Sequence, residues 1–171
     1  MSPFILTIVS DHPVLQIGLS YIVKGFLDDP VIRFLNNQQI TPEIILTSNL
    51  LLITTDYDDK LEILTRINLQ KRNKKNIIIY DQDPRLIYVT EFSDMGVAGY
   101  ISAVDSTDEL LVCIKKVLMG QKYFSGSIWR YLQTRQMLEA KSNFHQMLTT
   151  REKEVMGWLH LWGQYASTTR V

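Results

Sequence analysis

The alternation of short β-prone runs with amphipathic helical segments constrains this fold more than any other feature. Apolar, β-branched runs occupy residues 4–10, 30–35, 50–54, 76–80 and 98–102. Helical spacing of apolar residues follows most of these runs, so strands and helices alternate about five times within the first ~120 residues. This pattern predicts an α/β fold in which a doubly wound, five-stranded parallel sheet is covered by helices on both faces.

Residue types at the ends of two helical segments support this assignment. Asp11 is placed to cap a helix that begins near Pro13, since its carboxylate can accept hydrogen bonds from free backbone N–H groups. Ser106 and Glu109 have the spacing of a capping box, and Gly120 follows late lysines as a stop signal. Both segments are therefore predicted to be helices of defined length.

The stretch NLLLITTDYDD, residues 49–59, reads as a buried parallel strand that ends in an acidic turn. The carboxyl edge of an open α/β sheet is where such folds usually hold their chemistry. Thr54 and Thr55 stand at the end of this strand, and neither carries a carboxylate. The sequence therefore raises the question of whether this edge is chemically active.

Charge balance and cysteine content narrow the class of protein. The 171-residue chain has 18 basic and 18 acidic residues, which argues against strong nucleic-acid binding by the chain as it stands. The single cysteine, Cys113, lies in an apolar helical pattern and is predicted to be a buried, inert thiol. No signal peptide or apolar run of about 20 residues occurs, so a cytoplasmic protein without membrane contact is predicted.

Strand signals stop after residue 125. Residues 127–141, SIWRYLQTRQMLEAK, are prone to form a helix. The segment LTTREKEVMGWL, residues 148–159, has a second capping box in Thr149 and Glu152 and an apolar face behind it. A helical joint followed by a separate helical segment is therefore predicted.

Three motifs in this order resemble bacterial response regulators of the LuxR/NarL type. IVSDHPVLQIGLSYIV is similar to the opening strand and helix of that family. GVAGYIS with STDELLVCIKKVLMGQKYFS is similar to its last receiver strand and helix, and LTTREKEV to the start of its helix-turn-helix domain. The resemblance implies a flavodoxin-like receiver domain over 1–125, a linker helix over 126–147, and a truncated helix-turn-helix domain over 148–171.

The resemblance also assigns a phosphorylation site, and this chain departs from it at almost every position. Such receivers use an acidic pair to hold Mg²⁺, an aspartate as phosphoacceptor, a Ser/Thr hydroxyl and a lysine. The matching positions, in chain order, are Ser10 with Asp11, Thr54, Asp81 and Ala103. One carboxylate of the acidic pair remains, whereas the acceptor and the cation are replaced. A separate position, Tyr100, matches the aromatic residue that the family uses in switching.

These departures imply a degenerate receiver that has lost its chemistry. A threonine hydroxyl cannot form the acyl phosphate, and Ala103 supplies no cation. Asp11 and Asp81 are interpreted as a helix cap and a solvated turn residue, although a weakly held cation between them is an alternative. We therefore expect no metal, no cofactor and no enzymatic activity.

The leading hypothesis is a transcription regulator that acts through protein contacts, without phosphorylation. The family implies a homodimer, or a heterodimer with another response regulator, formed either through the first and last receiver helices or through the face around the fourth helix and fifth strand. Candidate contacts lie on the helices 13–27, 106–119 and 127–141. DNA binding is expected only if the C-terminal domain is complete in the natural protein. Otherwise the chain would titrate partners by forming inactive dimers.

Two alternatives remain open from the sequence. Some relatives bind a cyclic dinucleotide through a Trp- and Arg-containing helix, and Trp129, Arg130 and Arg135 lie in that region, although a helix that covers the sheet edge is favoured. The second alternative is an active receiver in which Asp56, two residues beyond Thr54, serves as phosphoacceptor.

Overall fold

The computed structural model describes residues 3–55, 60–68 and 76–147. Within them lie six strands with the bounds β1 Ile5–Val9, β2 Val31–Leu35, β3 Leu50–Thr55, β4 Ile77–Asp81, β5 Gly99–Ser102 and β6 Tyr123–Phe124. All neighbouring strands pair in parallel, and they form one sheet in the order β2-β1-β3-β4-β5-β6.

Six α-helices connect or follow these strands. Their bounds are α1 Pro13–Lys24, α2 Pro42–Thr47, α3 Lys60–Asn68, α4 Leu86–Asp94, α5 Thr107–Leu118 and α6 Gly126–Met147. A single 3-10 turn over Asn37–Gln39 lies between β2 and α2. The predicted α/β class with a parallel sheet is therefore confirmed.

The sheet has one strand more than the five that the sequence predicted. β6 pairs with the first half of β5, through Gly99 with Tyr123 and Tyr100 with Phe124. A strand of two residues is too short to give a periodicity signal in the sequence. As a result, α5 is the crossover helix between two parallel strands rather than the last element of the fold.

The two faces of the sheet bury separate hydrophobic clusters. On what we call the α4 face, side chains such as Ile53, Ile79 and Tyr100 pack against helices that include α3 and α4. On the α5 face, side chains such as Leu52 and Ile78 pack against α1 and α5. Burying an aliphatic side chain stabilises the fold by roughly 1.5–3 kcal/mol relative to leaving it exposed. The helices on both faces therefore contribute to the stability of the sheet.

The order of the strands decides where the functional edge lies. Because β1 is flanked by β2 on one side and β3 on the other, the chain reverses its direction of travel across the sheet at β1. Crevices in open α/β sheets form beyond the carboxyl ends of the strands at such a reversal. The residues that end β1, β3, β4 and β5 therefore share one edge.

The start of α5 is capped as predicted, but only by half of the capping box. The side chain of Ser106 accepts a hydrogen bond from the backbone N–H of Glu109 at 3.2 Å. The carboxylate of Glu109 instead accepts from the hydroxyl of Tyr123 on β6. The helix ends before Gly120, whose φ of 75° is in the left-handed region that favours glycine.

Gly99 marks the closest approach of the sheet to α5, and it gives the first prediction. A Cβ at this position would lie 2.7 Å from Cys113 Sγ and 2.8 Å from Ile78 Cγ1. We expect Gly99→Ala to lower the free energy of unfolding by about 1–3 kcal/mol, because the packed α5 face cannot absorb the methyl group. Urea denaturation measures this loss.

A matched substitution controls for the change from glycine to alanine itself. A Cβ at Gly18, in the middle of α1, would meet no atom within 4 Å. Gly18→Ala should stabilise the protein by roughly 0.5–1 kcal/mol, through helix propensity alone. Adding Cys113→Ala to Gly99→Ala should recover part of the loss. Equal effects at the two glycines would contradict the packing explanation.

The chain divides into two compact units, residues 1–132 and 133–171, and α6 begins in the first. The predicted linker over 126–147 coincides with α6, whereas the predicted helix-turn-helix start over 148–171 lies outside the described residues. The domain boundaries drawn from the sequence stay predictions. Among the described helices, none is long and apolar enough to cross a membrane.

Candidate functional site at the carboxyl edge of the sheet

The residues that the resemblance singled out meet at the carboxyl edge, although not on one face. Ser10 follows β1, Thr54 lies near the end of β3, and Asp81 ends β4, and all of them are buried. Side chains alternate along a strand, so Thr54 shares the α5 face with Leu52, whereas Asp81 shares the α4 face with Ile79. The predicted acceptor and hydroxyl positions therefore point to opposite sides of the sheet.

A buried ion pair occupies the α4 face of this edge. Lys60 Nζ, at the first residue of α3, lies 2.8 Å from Asp81 Oδ1, and neither side chain is exposed to solvent. The same ammonium also donates to the carbonyl oxygen of Asp83. The hydroxyl of Tyr100 donates to the second carboxylate oxygen of Asp81. We refer to Lys60, Asp81 and Tyr100 as the Asp81 network.

The interpretation of Asp81 as a solvated turn residue is wrong. The residue is the last of β4, and β3 and β5 pair with it on both sides through Thr55 and Ser102, which removes it from water. A buried carboxylate needs a counter-charge, and Lys60 supplies it. The aspartate therefore belongs to the core and not to a surface turn.

Lys60 is absent from the predicted site residues, because the resemblance places the cation at the position of Ala103. Ala103 has a backbone role, in which its N–H donates to the carbonyl oxygen of Asp81 at 2.8 Å. A signal for Lys60 was available, since a lysine at the first position of a helix faces the positive end of the helix dipole. Such a lysine is best tolerated where a nearby anion offsets its charge.

Tyr100 is held as a neutral hydrogen-bond donor. Burial raises the pKa of its phenol well above the usual value, and the charge of Asp81 and the hydrogen bond to it add to the effect. Its ring packs edge-to-face against Phe92 of α4, with 5.7 Å between ring centroids. Lys60 Nζ lies 5.6 Å from the ring centroid of Tyr88, also on α4. The Asp81 network therefore contacts α4 at two aromatic rings.

Asp11 does not cap α1, contrary to the sequence prediction. The N-cap residue is His12, which makes no capping bond with its side chain. The two carboxylate oxygens of Asp11 accept instead from Asn37, at 3.1 Å from its backbone N and 2.8 Å from Nδ2. The loop after β2 comes close enough to compete for this carboxylate, which sequence spacing alone does not reveal.

The residues of this edge that the structure describes do not fit the magnesium ion that the resemblance to receivers implies. A hard cation needs several oxygen ligands free to turn toward it. Asp11 is engaged by Asn37, Ser10 carries no charge, and both carboxylate oxygens of Asp81 have partners within the Asp81 network. In the described part of the chain, no group of three or more His, Cys, Asp or Glu residues could hold a metal ion. Asp56 lies outside the described residues.

The residues considered for a cyclic dinucleotide lie on α6. Trp129 is about half exposed and packs edge-to-face on Phe124 of β6, with 6.1 Å between ring centroids. Ile128, beside it in the sequence, is fully buried in the cluster of the α4 face. Arg130 is exposed and Arg135 is partly exposed. The packing of Trp129 agrees with a helix that covers the sheet edge, and ligand binding by these three residues stays a prediction.

Cys113 is buried on α5. Burial, and to a smaller extent the charge of Glu109, raise the pKa of its thiol to about 12. A nucleophilic cysteine needs a depressed pKa and access to solvent. The prediction of a buried thiol is therefore confirmed, and its raised pKa disfavours the reactive thiolate.

Comparison with known proteins agrees with this fold. The chain is 25% identical over 158 residues to the nitrate/nitrite response regulator protein NarP of Escherichia coli K12, a match that covers 91% of this chain and 74% of NarP. A LuxR-family two-component response regulator from Aurantimonas sp. SI85-9A1 superposes with a TM-score of 0.66, at 14% identity, over 80% of this chain and 99% of that one. The chain has the receiver fold.

A further solved structure contains two RcsB dimers bound to two parallel DNAs. It superposes with a TM-score of 0.58 at 12% identity, over 75% of this chain and 66% of that one. No protein-family model matches this chain. Together, the sequence similarity to NarP and the receiver fold support a response regulator.

Proposed function

We propose that this protein is a transcription regulator of the LuxR/NarL response-regulator type whose receiver domain works without phosphorylation. The similarity to NarP and the order of motifs along the chain support the regulator class. The chemistry of the sheet edge supports the second part of the proposal. The observation that most supports it is the buried ion pair between Lys60 and Asp81, to which the hydroxyl of Tyr100 adds a hydrogen bond.

The ion pair bears on phosphoryl transfer because that reaction requires charged groups that are not already paired with each other. A carboxylate must attack, while a metal ion and a cation must offset the charge on the phosphoryl group. At this edge, Thr54 has no carboxylate, and Lys60 and Asp81 neutralise each other on the opposite face of the sheet. The Asp81 network therefore satisfies its own charges instead of recruiting a phosphoryl group.

Incubation with magnesium and acetyl phosphate tests this part of the proposal. We expect the intact mass of the protein to stay unchanged, because the described edge offers neither an acceptor carboxylate nor a metal site. A receiver that retains its acceptor aspartate should gain the mass of one phosphoryl group under the same conditions and serves as the positive control.

Phosphorylation at Asp56 is the outcome that would overturn the proposal. A gain of one phosphoryl group that disappears in an Asp56→Asn variant would establish an active receiver with a displaced acceptor. A gain that persists in that variant would place the acceptor elsewhere, and it would equally contradict phosphorylation-independent action.

For the mode of action, we propose a homodimer in which α1 lies at the interface. Val14, Ile17 and Tyr21 follow one side of α1 at helical spacing, and they are 82%, 66% and 82% exposed. The same helix buries Leu19 and Val23 against the sheet, so it is apolar on two sides. A helix with one polar side is the usual pattern for a surface helix of a monomer.

A second copy of the chain is the partner that this proposal commits to. A symmetric dimer brings identical patches together, so an apolar stripe on α1 would face the same stripe of its partner. The RcsB dimers on DNA support dimerisation as a mode of action for this fold. A heterodimer with another response regulator would use the same stripe. DNA binding is proposed only for a natural protein in which the helix-turn-helix domain, predicted to start near residue 148, is complete.

A further inference from the structure

The helix α4 receives little stabilisation from its own sequence. Its N-cap residue, Arg85, makes no side-chain capping bond, and its first turn carries no acidic residue. In contrast, α5 is capped by Ser106 and has Asp108 and Glu109 in its first turn. A nine-residue helix with a weak start depends on tertiary contacts for its position.

The Asp81 network supplies such contacts to the loop before α4 and to the helix itself. The backbone of Asp83, in the loop before α4, is held at both polar groups: its N–H donates to Asp81 Oδ1 at 3.0 Å, and its carbonyl accepts from Lys60. On the helix itself, Tyr100 packs against Phe92, near the end of α4. These bonds are directional, whereas apolar side chains in the same place would hold the loop in no particular orientation.

We propose that the Asp81 network is an internal clamp that fixes α4 and the preceding loop in one position without a bound phosphoryl group. Lys60 acts as a positioning residue that provides, from within the chain, the positive charge that Asp81 requires and a hydrogen-bond donor for the carbonyl of Asp83. This inference rests on the proposed function, since a receiver that works without phosphorylation needs another means of fixing its surface. It identifies α4 as the element whose position the edge of the sheet controls.

Hydrogen–deuterium exchange of the whole chain tests the clamp, with Tyr100→Phe as the main variant. This change removes one hydroxyl and keeps the ring against Phe92, so we expect a folded protein. Exchange of the segment 82–94 should accelerate about tenfold or more, the size expected for a lost hydrogen bond to a charged group, while α5 keeps its rates. Lys60→Met should accelerate the same segment further.

Tyr123→Phe is the matched control, because it removes a tyrosine hydroxyl that also donates to a carboxylate, that of Glu109. It should affect the start of α5 and leave the segment 82–94 unchanged. The clamp is refuted if Tyr100→Phe leaves that segment unchanged, or if exchange rises equally throughout the domain. Adding magnesium and beryllofluoride to the wild type separates the two proposals. A change in the exchange rates of the wild type on this addition would refute phosphorylation-independent action. The comparison of the variants would still decide whether the clamp exists.

Discussion

Lys60→Met is expected to lower the free energy of unfolding by about 3–5 kcal/mol, because it leaves Asp81 as a buried carboxylate without its counter-charge. Methionine fills a similar volume, so the loss reports on charge more than on packing. A small domain has a total stability of roughly 5–15 kcal/mol, and the variant should therefore unfold at a much lower urea concentration. Circular dichroism during urea denaturation measures the effect.

Glu62→Gln provides the control for the loss of an ion pair, because it leaves in place the hydrogen bond from Arg66 Nη1 to the carbonyl oxygen of Gln38 at 3.0 Å. Arg66 Nη2 lies 2.7 Å from Glu62 Oε1, and both side chains of this pair on α3 are partly exposed to solvent. We expect this change to cost less than about 1 kcal/mol, because water already screens the pair. The triple variant Lys60→Met, Asp81→Leu, Tyr100→Phe should recover most of the loss. A loss of under about 1 kcal/mol for Lys60→Met would show that the buried pair is not needed.

The elements that the sequence predicted well are those whose signal is local. The strand over residues 50–54 begins with four consecutive apolar residues, and α5 combines a cap, an apolar face and a glycine stop within fifteen residues, 106–120. Such features require no knowledge of what lies across the sheet. In contrast, β6 has two residues and exists only because β5 offers a partner.

The errors at the site share one physical origin, which is contact between residues far apart in the sequence. The neighbours of Asp81 in the sequence predict a solvated turn, but Lys60, 21 positions earlier, changes its environment. The position of Asp11 predicts a cap for the helix that follows it, but Asn37, 26 positions later, binds its carboxylate. Matching positions to a family pattern identifies replaced residues, but it gives no signal for a residue such as Lys60, which reaches the site from a different element.

Ile17→Lys is expected to weaken self-association of this protein, if the apolar stripe on α1 forms the dimer interface. Burying a lysine in place of an isoleucine at the centre of an interface costs about 2 kcal/mol or more, which corresponds to a roughly 30-fold higher Kd. Lysine is a good helix former, and Ile17 is 66% exposed in the single chain, so the fold should be unaffected. Sedimentation velocity over a range of protein concentrations measures the change.

Ile87→Lys is a closely matched control, since Ile87 lies on α4 and is 64% exposed. The two variants carry the same substitution at nearly equal exposure on different helices. If α1 forms the interface, Ile17→Lys should dissociate the dimer and Ile87→Lys should leave it intact. The reverse result would move the interface to α4, next to the Asp81 network. A wild-type protein that stays monomeric at high concentration would remove the homodimer altogether, because no self-association would then remain for either helix to mediate.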